Sequence, residues 1–189
     1  MHLQKKGVRV LGIAESFASA ETSVLAGVVM RRDRRIDGFG FAGVTVGGMD
    51  ATDAVLSIFR KMDRRDINAV MLSGCVIAWY NIIDPVTITE KTALPVVVVT
   101  YEDSEGLEQD LERHFPGDTT RMDYYRRLGS REAVTLHTGH TIYIRPYGID
   151  TPEAARLCDL FTLDGKIPEP LRVARLCARG VMHYTQNSR

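Results

Sequence analysis

The run LPVVVVT at positions 94–100 constrains the fold of this chain more than any other segment. It carries four consecutive valines and no charged residue, a composition typical of a β-strand that is buried on both faces. Strands of this kind lie at the centre of parallel sheets whose two faces are covered by helices. The sequence therefore predicts an α/β protein built around a buried central sheet.

The remaining patterns predict the order of the other elements. Apolar runs at 8–13, 22–30 and 36–46 are joined by short connections, which indicates an antiparallel meander of three strands. A helix is predicted to begin near Asp50, because apolar residues follow that position at helical spacing. Further strands are predicted at 67–72, 94–100, 133–136 and 140–146, and helices within 79–92, at 106–115, from an N-cap at Thr151 and from about Pro170.

Three antiparallel strands, a helix, and then parallel strands with helices are the order of the RNase H-like fold. We therefore expect a mixed α/β sheet with helices on both faces. A chain of 189 residues, of which 44% are hydrophobic, suits a single domain over residues 1–189. No GxGxxG motif follows the first strand, which argues against a dinucleotide-binding fold.

Charge is balanced overall but unevenly distributed. Lys plus Arg and Asp plus Glu number 24 each, which excludes a protein that coats DNA by net charge alone. No acid follows Glu169, whereas arginines occupy positions 172, 175, 179 and 189. We expect Arg172, Arg175 and Arg179, together with Arg145 in the strand HTIYIRP, to contact nucleic-acid phosphate. The alternative is a solvated helix face whose arginines pair with acids elsewhere in the molecule.

Neither a metal-binding cysteine pattern nor a membrane span is predicted. Cys75, Cys158 and Cys177 lie far apart and match no metal-ligand spacing, so we expect reduced, buried thiols. No apolar stretch approaches the roughly 18 to 20 residues that a bilayer requires. We therefore expect a cytoplasmic protein.

Acidic residues follow the predicted strand ends, where α/β proteins place their functional groups. Glu15 ends the first strand and Asp50 opens the first helix, so the predicted fold brings them to opposite sides of one crevice. Two facing carboxylates repel each other unless a cation lies between them, and Mg²⁺ or Mn²⁺ prefers such oxygen ligands. Asp84 is a third candidate ligand. The alternative for Asp50 and Asp84 is a helix cap.

Three further residues are expected to line this crevice. Ser73 and Gly74 end the fourth strand, and Asn81 lies a short way beyond them, next to Trp79 and Tyr80. No GxSxG motif surrounds Ser73, so a small residue before a tight turn at Gly74 is favoured over a nucleophile. Asn81 is suited to holding a loop or a water molecule.

Five sequence segments resemble those of a known protein family. VLGIAESF at 10–17, GGMDAT at 47–52, LSGCVIAWYNIIDP at 72–85, LPVVVVTYE at 94–102 and GKIPEPLRVARLCA at 165–178 resemble the archaeal endonuclease dU family, a distant relative of endonuclease V. The resemblance implies an RNase H-like fold. It also implies a divalent-metal-dependent endonuclease that acts on DNA containing deoxyuridine or a related deaminated base.

The resemblance assigns roles to the acids and also shows departures. Glu15 takes the place of the first-strand Asp of endonuclease V, and Asp50 that of the Glu at its helix start. Ser73 replaces an Asp, Thr100 replaces a Lys, and GGMD at 47–50 replaces a Pro-Tyr wedge. These departures keep open a non-catalytic RNase H-like module that binds nucleic acid or a protein. An enzyme acting on nucleotides or other small phosphates is a third hypothesis.

Overall fold

The computed structural model describes residues 7–17, 21–103 and 105–187. Seven strands form one sheet, and two short strands form a separate hairpin. The strands are β1 Arg9–Ser16, β2 Thr22–Arg31, β3 Ile36–Thr45, β4 Ala69–Ser73, β5 Val76–Ile77, β6 Asn81–Ile82, β7 Val96–Thr100, β8 Glu132–Thr135 and β9 Thr141–Tyr147. The helices are α1 Ala51–Met62, α2 Pro85–Thr92, α3 Glu108–His114, α4 Thr119–Arg127, α5 Thr151–Phe161 and α6 Glu169–Asn187.

The sheet has the strand order β3-β2-β1-β4-β7-β9-β8. Its first three strands pair antiparallel, whereas β4 pairs parallel with both β1 and β7. Strands β9 and β8 then extend the sheet in antiparallel pairing. This topology confirms the predicted RNase H-like mixed sheet, and the valine run forms β7, near its centre.

The side chains of the central strands point alternately into two hydrophobic cores, one on each face of the sheet. Leu11 of β1 and Leu72 of β4 belong to the core that includes α1, whereas Val10 and Met71 belong to the core that includes α5. Side chains of a strand point alternately to the two faces. The Glu15 side chain therefore lies on the α1 face, and the Ser73 side chain lies on the α5 and α6 face.

Helix α6 lies directly against β1. A Cβ atom at Gly12 would be 2.5 Å from Cβ and 2.6 Å from the carbonyl carbon of Pro170, so only glycine allows this approach. Ala14 and Val28 pack with Ala174 of α6 further along the same face. The first turns of α6 are thereby fixed against β1 and β2.

The structure confirms one further helix and corrects two other predictions. The helix predicted within 79–92 is α2, which covers 85–92 and follows the short strand β6. Residues 119–127, for which no helix or strand was predicted, form α4, with the Asp118 carboxylate accepting from the backbone N–H of Arg121. Asp150, and not Thr151, caps α5, since the Thr151 hydroxyl donates to Glu132. Across the described residues, no helix is long and apolar enough to span a bilayer.

Candidate nucleic-acid interface

A turn with an unusual backbone connects β5 to β6. Ala78, Trp79 and Tyr80 have φ angles of 41°, 57° and 63°, so three consecutive residues other than glycine occupy the left-handed region. Each such residue costs roughly 1–2 kcal/mol. The surrounding structure must therefore hold the turn in place, and the predicted site residues supply several of the bonds that do so.

Glu15 holds the first residue of this turn. Its Oε1 atom accepts a 3.0 Å hydrogen bond from the backbone N–H of Ala78 and a 2.6 Å hydrogen bond from the hydroxyl of Ser23. The Ala78 carbonyl accepts from the N–H of Gly47 on its other side. Glu15 thus acts in this structure as an acceptor that ties β1 and β2 to the turn.

Asp50 holds the loop that precedes α1. Its carboxylate accepts from the Thr45 hydroxyl at 2.7 Å, from the Thr45 N–H at 3.2 Å, and from Nδ2 of Asn81 at 2.6 Å. Asn81 is fully buried, and its Oδ1 atom accepts the Ala51 N–H at the start of α1. The side chain that caps α1 therefore belongs to Asn81, while Asp50 occupies the cap position without capping the helix.

The same hydrogen bonds set the ionisation of Asp50. Partial burial acts to raise its pKa, but the hydrogen bonds from Thr45 and Asn81 outweigh this effect and hold the pKa below that of an ordinary aspartate. The ionised form of Asp50 is thus the form that stabilises the folded protein.

Asp50→Asn is expected to lower stability at neutral pH and to have little effect in acid. Because the folded-state pKa is depressed, the Asp50 contribution is fully present above about pH 4 and is lost as pH falls through the folded pKa. Denaturant unfolding of both proteins across this pH range measures the difference. Asp123→Asn, a change of an exposed aspartate within α4, is the control. A difference that is constant with pH would contradict this prediction.

Arg121 of α4 is a site residue that the sequence analysis did not identify. It is only 4% exposed, and its guanidinium donates to the carbonyl oxygens of Gly47, Gly48 and Tyr80 and to the carboxylate of Asp118. It therefore joins the loop before α1 to the left-handed turn. The one local signal in the sequence is Asp118, three residues before Arg121, which suggests a helix cap. Nothing local indicates that Arg121 bonds carbonyls far away in the chain.

Asp84 has a structural role at the start of α2. Its carboxylate accepts from the N–H groups of Val86 and Thr87 and from the Thr87 hydroxyl at 3.0 Å, and its own N–H donates to Thr52. The structure thus shows the helix cap that was the alternative for this residue. In the ranges 7–17, 21–103 and 105–187, no group of three or more His, Cys, Asp or Glu is placed to hold a metal ion.

Two arginines lie near the carboxyl end of β4. Nη2 of Arg175 donates to the Ser73 hydroxyl at 3.0 Å on the α6 face. Arg145 of β9, which lies on the other face of the sheet, lines a cavity of about 340 Å³ together with Gly74 and Cys75. Burial raises the pKa of the Cys75 thiol to about 12, so Cys75 is an unreactive wall of this cavity.

The α6 arginines differ in their surroundings. Arg172 forms a 2.6 Å ion pair with Glu169, so the alternative of pairing with an acid applies to this residue. Arg175 bonds Ser73, and Arg179 is exposed further along the helix. Arg189, the fourth member of the predicted basic group, lies outside the described residues.

Solved structures define the class of protein to which this fold belongs. Endonuclease V of Ciona intestinalis, solved with a 24mer DNA containing an inosine followed by a ribo-adenosine, superposes with a TM-score of 0.65 at 13% identity, covering 95% of this chain and 87% of that one. An Archaeoglobus fulgidus protein of unknown function gives a TM-score of 0.81 at 27% identity, with 92% and 98% coverage. The fold is RNase H-like.

The family follows from the sequence comparison. The model of the family described as Endonuclease dU matches residues 6–182, and the chain belongs to this family. A UPF0215 protein of Pyrobaculum calidifontis is 40% identical over 176 residues, which span 92% of this chain and 97% of the relative. The resemblance found in the sequence is confirmed.

Proposed function

We propose that this protein binds DNA carrying deoxyuridine or a related deaminated base, and that it does so without a metal ion. The observation that carries the proposal is the pair of arginines on either side of the carboxyl end of β4. The carboxyl ends of parallel strands are where α/β sheets bind their ligands. The family name and the nuclease fold support DNA as the ligand.

Arg145 and Arg175 are suited to a phosphodiester backbone. A guanidinium presents several N–H donors in a planar fork that matches two phosphate oxygens. Arg145 uses Nε to bond the Gly129 carbonyl, and Arg175 uses Nη2 to bond Ser73, so each side chain is oriented while other N–H donors remain for phosphate. Phosphate contacts of this kind position a nucleic acid and supply most of its affinity.

The carboxylates predicted to bind a metal ion, Asp50 and Asp84, do not fit this role well, because their oxygens already accept hydrogen bonds. A carboxylate offers about four lone-pair sites. The Asp50 carboxylate already accepts three donors, of which the Thr45 N–H is shared between both oxygens, and both oxygens of Asp84 accept donors at the start of α2. A divalent ion at Asp50 would compete with the bonds that hold the loop before α1.

One observation favours a second candidate function, a Mg²⁺- or Mn²⁺-dependent endonuclease. No described residue donates to Oε2 of Glu15, so this carboxylate keeps ligand capacity at the carboxyl end of β1. Glu15 and Asp50 would hold the ion in this function, with Asp84 as a third ligand. The ion would supply Lewis-acid activation of water and of the leaving oxygen.

Incubation with oligonucleotides distinguishes the two functions. Duplexes with and without deoxyuridine are mixed with the protein in Mg²⁺, Mn²⁺ or EDTA and analysed for both strand cleavage and binding. We expect intact strands under all conditions and tighter binding of the deoxyuridine duplex. Cleavage that requires a metal and is lost in Glu15→Gln and Asp50→Asn would establish the endonuclease instead. Cleavage that persists in both variants would identify a contaminating nuclease.

A further inference from the structure

The left-handed turn displays the single tryptophan of this chain at the surface. The Trp79 side chain is 49% exposed, although the preceding Ala78 is buried. The indole contacts the Tyr80 and His114 rings edge-on, with ring centroids 5.3 and 4.9 Å away, and Tyr80 and His114 stack on each other at 5.5 Å. These two rings support the indole from the side of the protein.

Hydrogen bonds to the residues on both sides of Trp79 hold it in the strained turn. Glu15 bonds the N–H of the residue before Trp79, and the buried Arg121 bonds the carbonyl of the residue after it. Arg121 also lies 3.9 Å from the centre of the Phe115 ring, which itself contacts Tyr80. Strained backbone held by its surroundings is typical of ligand-binding sites. Here the strain presents a large flat ring to solvent on a rigid support.

We propose that Trp79 is the stacking surface for one unpaired nucleobase of the bound DNA. This proposal rests on the proposed function, because it names the base-binding part of the same interface. Only three residues separate Cys75, at the arginine-lined cavity, from Trp79, so the segment 73–79 carries both a phosphate region and an aromatic surface. This combination of basic groups with an exposed aromatic ring is how proteins bind unpaired bases with little sequence preference.

A deaminated base suits this arrangement energetically. Removing a base from the duplex stack costs least where the base is mismatched or damaged, as deoxyuridine opposite guanine is. An indole that replaces the lost stacking then favours the damaged duplex over the intact one. Trp79 thereby provides selectivity without a dedicated hydrogen-bonding pocket for the base.

Intrinsic fluorescence tests the proposal in the unmodified protein, because Trp79 is its sole tryptophan. An unlabelled duplex with deoxyuridine opposite guanine is titrated into the protein, and binding is followed in parallel by the anisotropy of a fluorescein-labelled copy. We expect the indole emission to be quenched with the same apparent Kd. A duplex with an abasic site in place of deoxyuridine should quench less. Emission that is unchanged at saturating DNA would overturn the proposal.

Substitutions give an independent test. Trp79→Ala is expected to weaken DNA binding about ten-fold or more, whereas Trp79→Phe keeps most of the affinity. Phe39→Ala is the matched control, since Phe39 on the edge strand β3 is equally exposed at 49% and lies in no ring cluster with Trp79. Equal affinities of Trp79→Ala and the wild type, or equal losses in Trp79→Ala and Phe39→Ala, would contradict a stacking role.

The outcomes separate this proposal from the function on which it rests. If the wild type binds no DNA, the proposed function fails and the stacking role fails with it. If the wild type binds DNA but its emission and the affinity of Trp79→Ala are unchanged, only the stacking role fails. Thermal unfolding of Trp79→Ala checks that the half-exposed side chain is removed without loss of the fold.

Discussion

Arg121→Met is expected to lower the free energy of unfolding by about 3–5 kcal/mol, the largest stability effect of any single change at this site. The methionine keeps apolar volume against the Phe115 ring but cannot donate to the carbonyls of Gly47, Gly48 and Tyr80. Those carbonyls then lose their bonds to the side chain that joins the two loops. The left-handed turn, which has little intrinsic stability, loses one of its two principal supports.

Denaturant unfolding of the wild type and of Arg121→Met measures this effect. Arg126→Met is the matched control, because Arg126 is exposed on the same helix, and a change within about 0.5 kcal/mol is expected there. Arg121→Lys should recover only part of the loss, since an ammonium lacks the planar fork that reaches three carbonyls. A loss for Arg121→Met no larger than that for Arg126→Met would show that the turn does not depend on this side chain.

The double substitution Arg145→Ala and Arg175→Ala is expected to have the largest effect on DNA binding, a loss of about one hundred-fold or more. Each arginine offers charge-assisted hydrogen bonds to phosphate, and each such bond is worth about 1.5–3 kcal/mol. Two lost phosphate contacts should also reduce the slope of log affinity against log salt by about 1.8. The same variant should fold normally, because Arg145 is partly exposed and Arg175 is exposed.

Anisotropy titrations over a range of salt concentrations measure both quantities. Arg179→Ala is the control on α6, because Arg179 is exposed further along the same helix, and a much smaller loss is expected there. A loss for Arg179→Ala as large as that for the double variant would indicate a general effect of positive charge on α6 and not phosphate contacts at the end of β4. An unchanged salt slope in the double variant would contradict phosphate contact at these arginines.

The fold was predictable because its signals are local. The valine run of β7 and the three apolar runs before α1 each identify a strand within a few residues, and their order alone indicates the RNase H-like sheet. The capping signal at Asp118 is also local, but α4 was not predicted because its residues are strongly polar. Its main attachment, Arg121, bonds carbonyls that lie 41 to 74 residues away in the chain.

The proximity of several candidate residues was predictable, but their hydrogen bonds were not. Glu15, Asp50 and Asn81 do converge on one turn, as their positions at strand and helix ends suggested. Asn81 caps α1 in place of Asp50, while Asp50 holds the preceding loop. This arrangement depends on a contact between residues 31 positions apart, which no local pattern reveals. The left-handed conformation of 78–80 likewise lacks its usual signal, because none of these residues is glycine.

The most direct test asks whether Glu15 and Asp50 support a DNA-binding surface or hold a metal ion. It compares the affinity for a deoxyuridine duplex in EDTA and in Mn²⁺ at matched ionic strength. We expect salt-dependent binding in EDTA and no tighter binding in Mn²⁺, because the acceptor sites of Asp50 are already used by Thr45 and Asn81. Binding that appears only with Mn²⁺ and is lost in Glu15→Gln would contradict this function and establish a metal site at the end of β1.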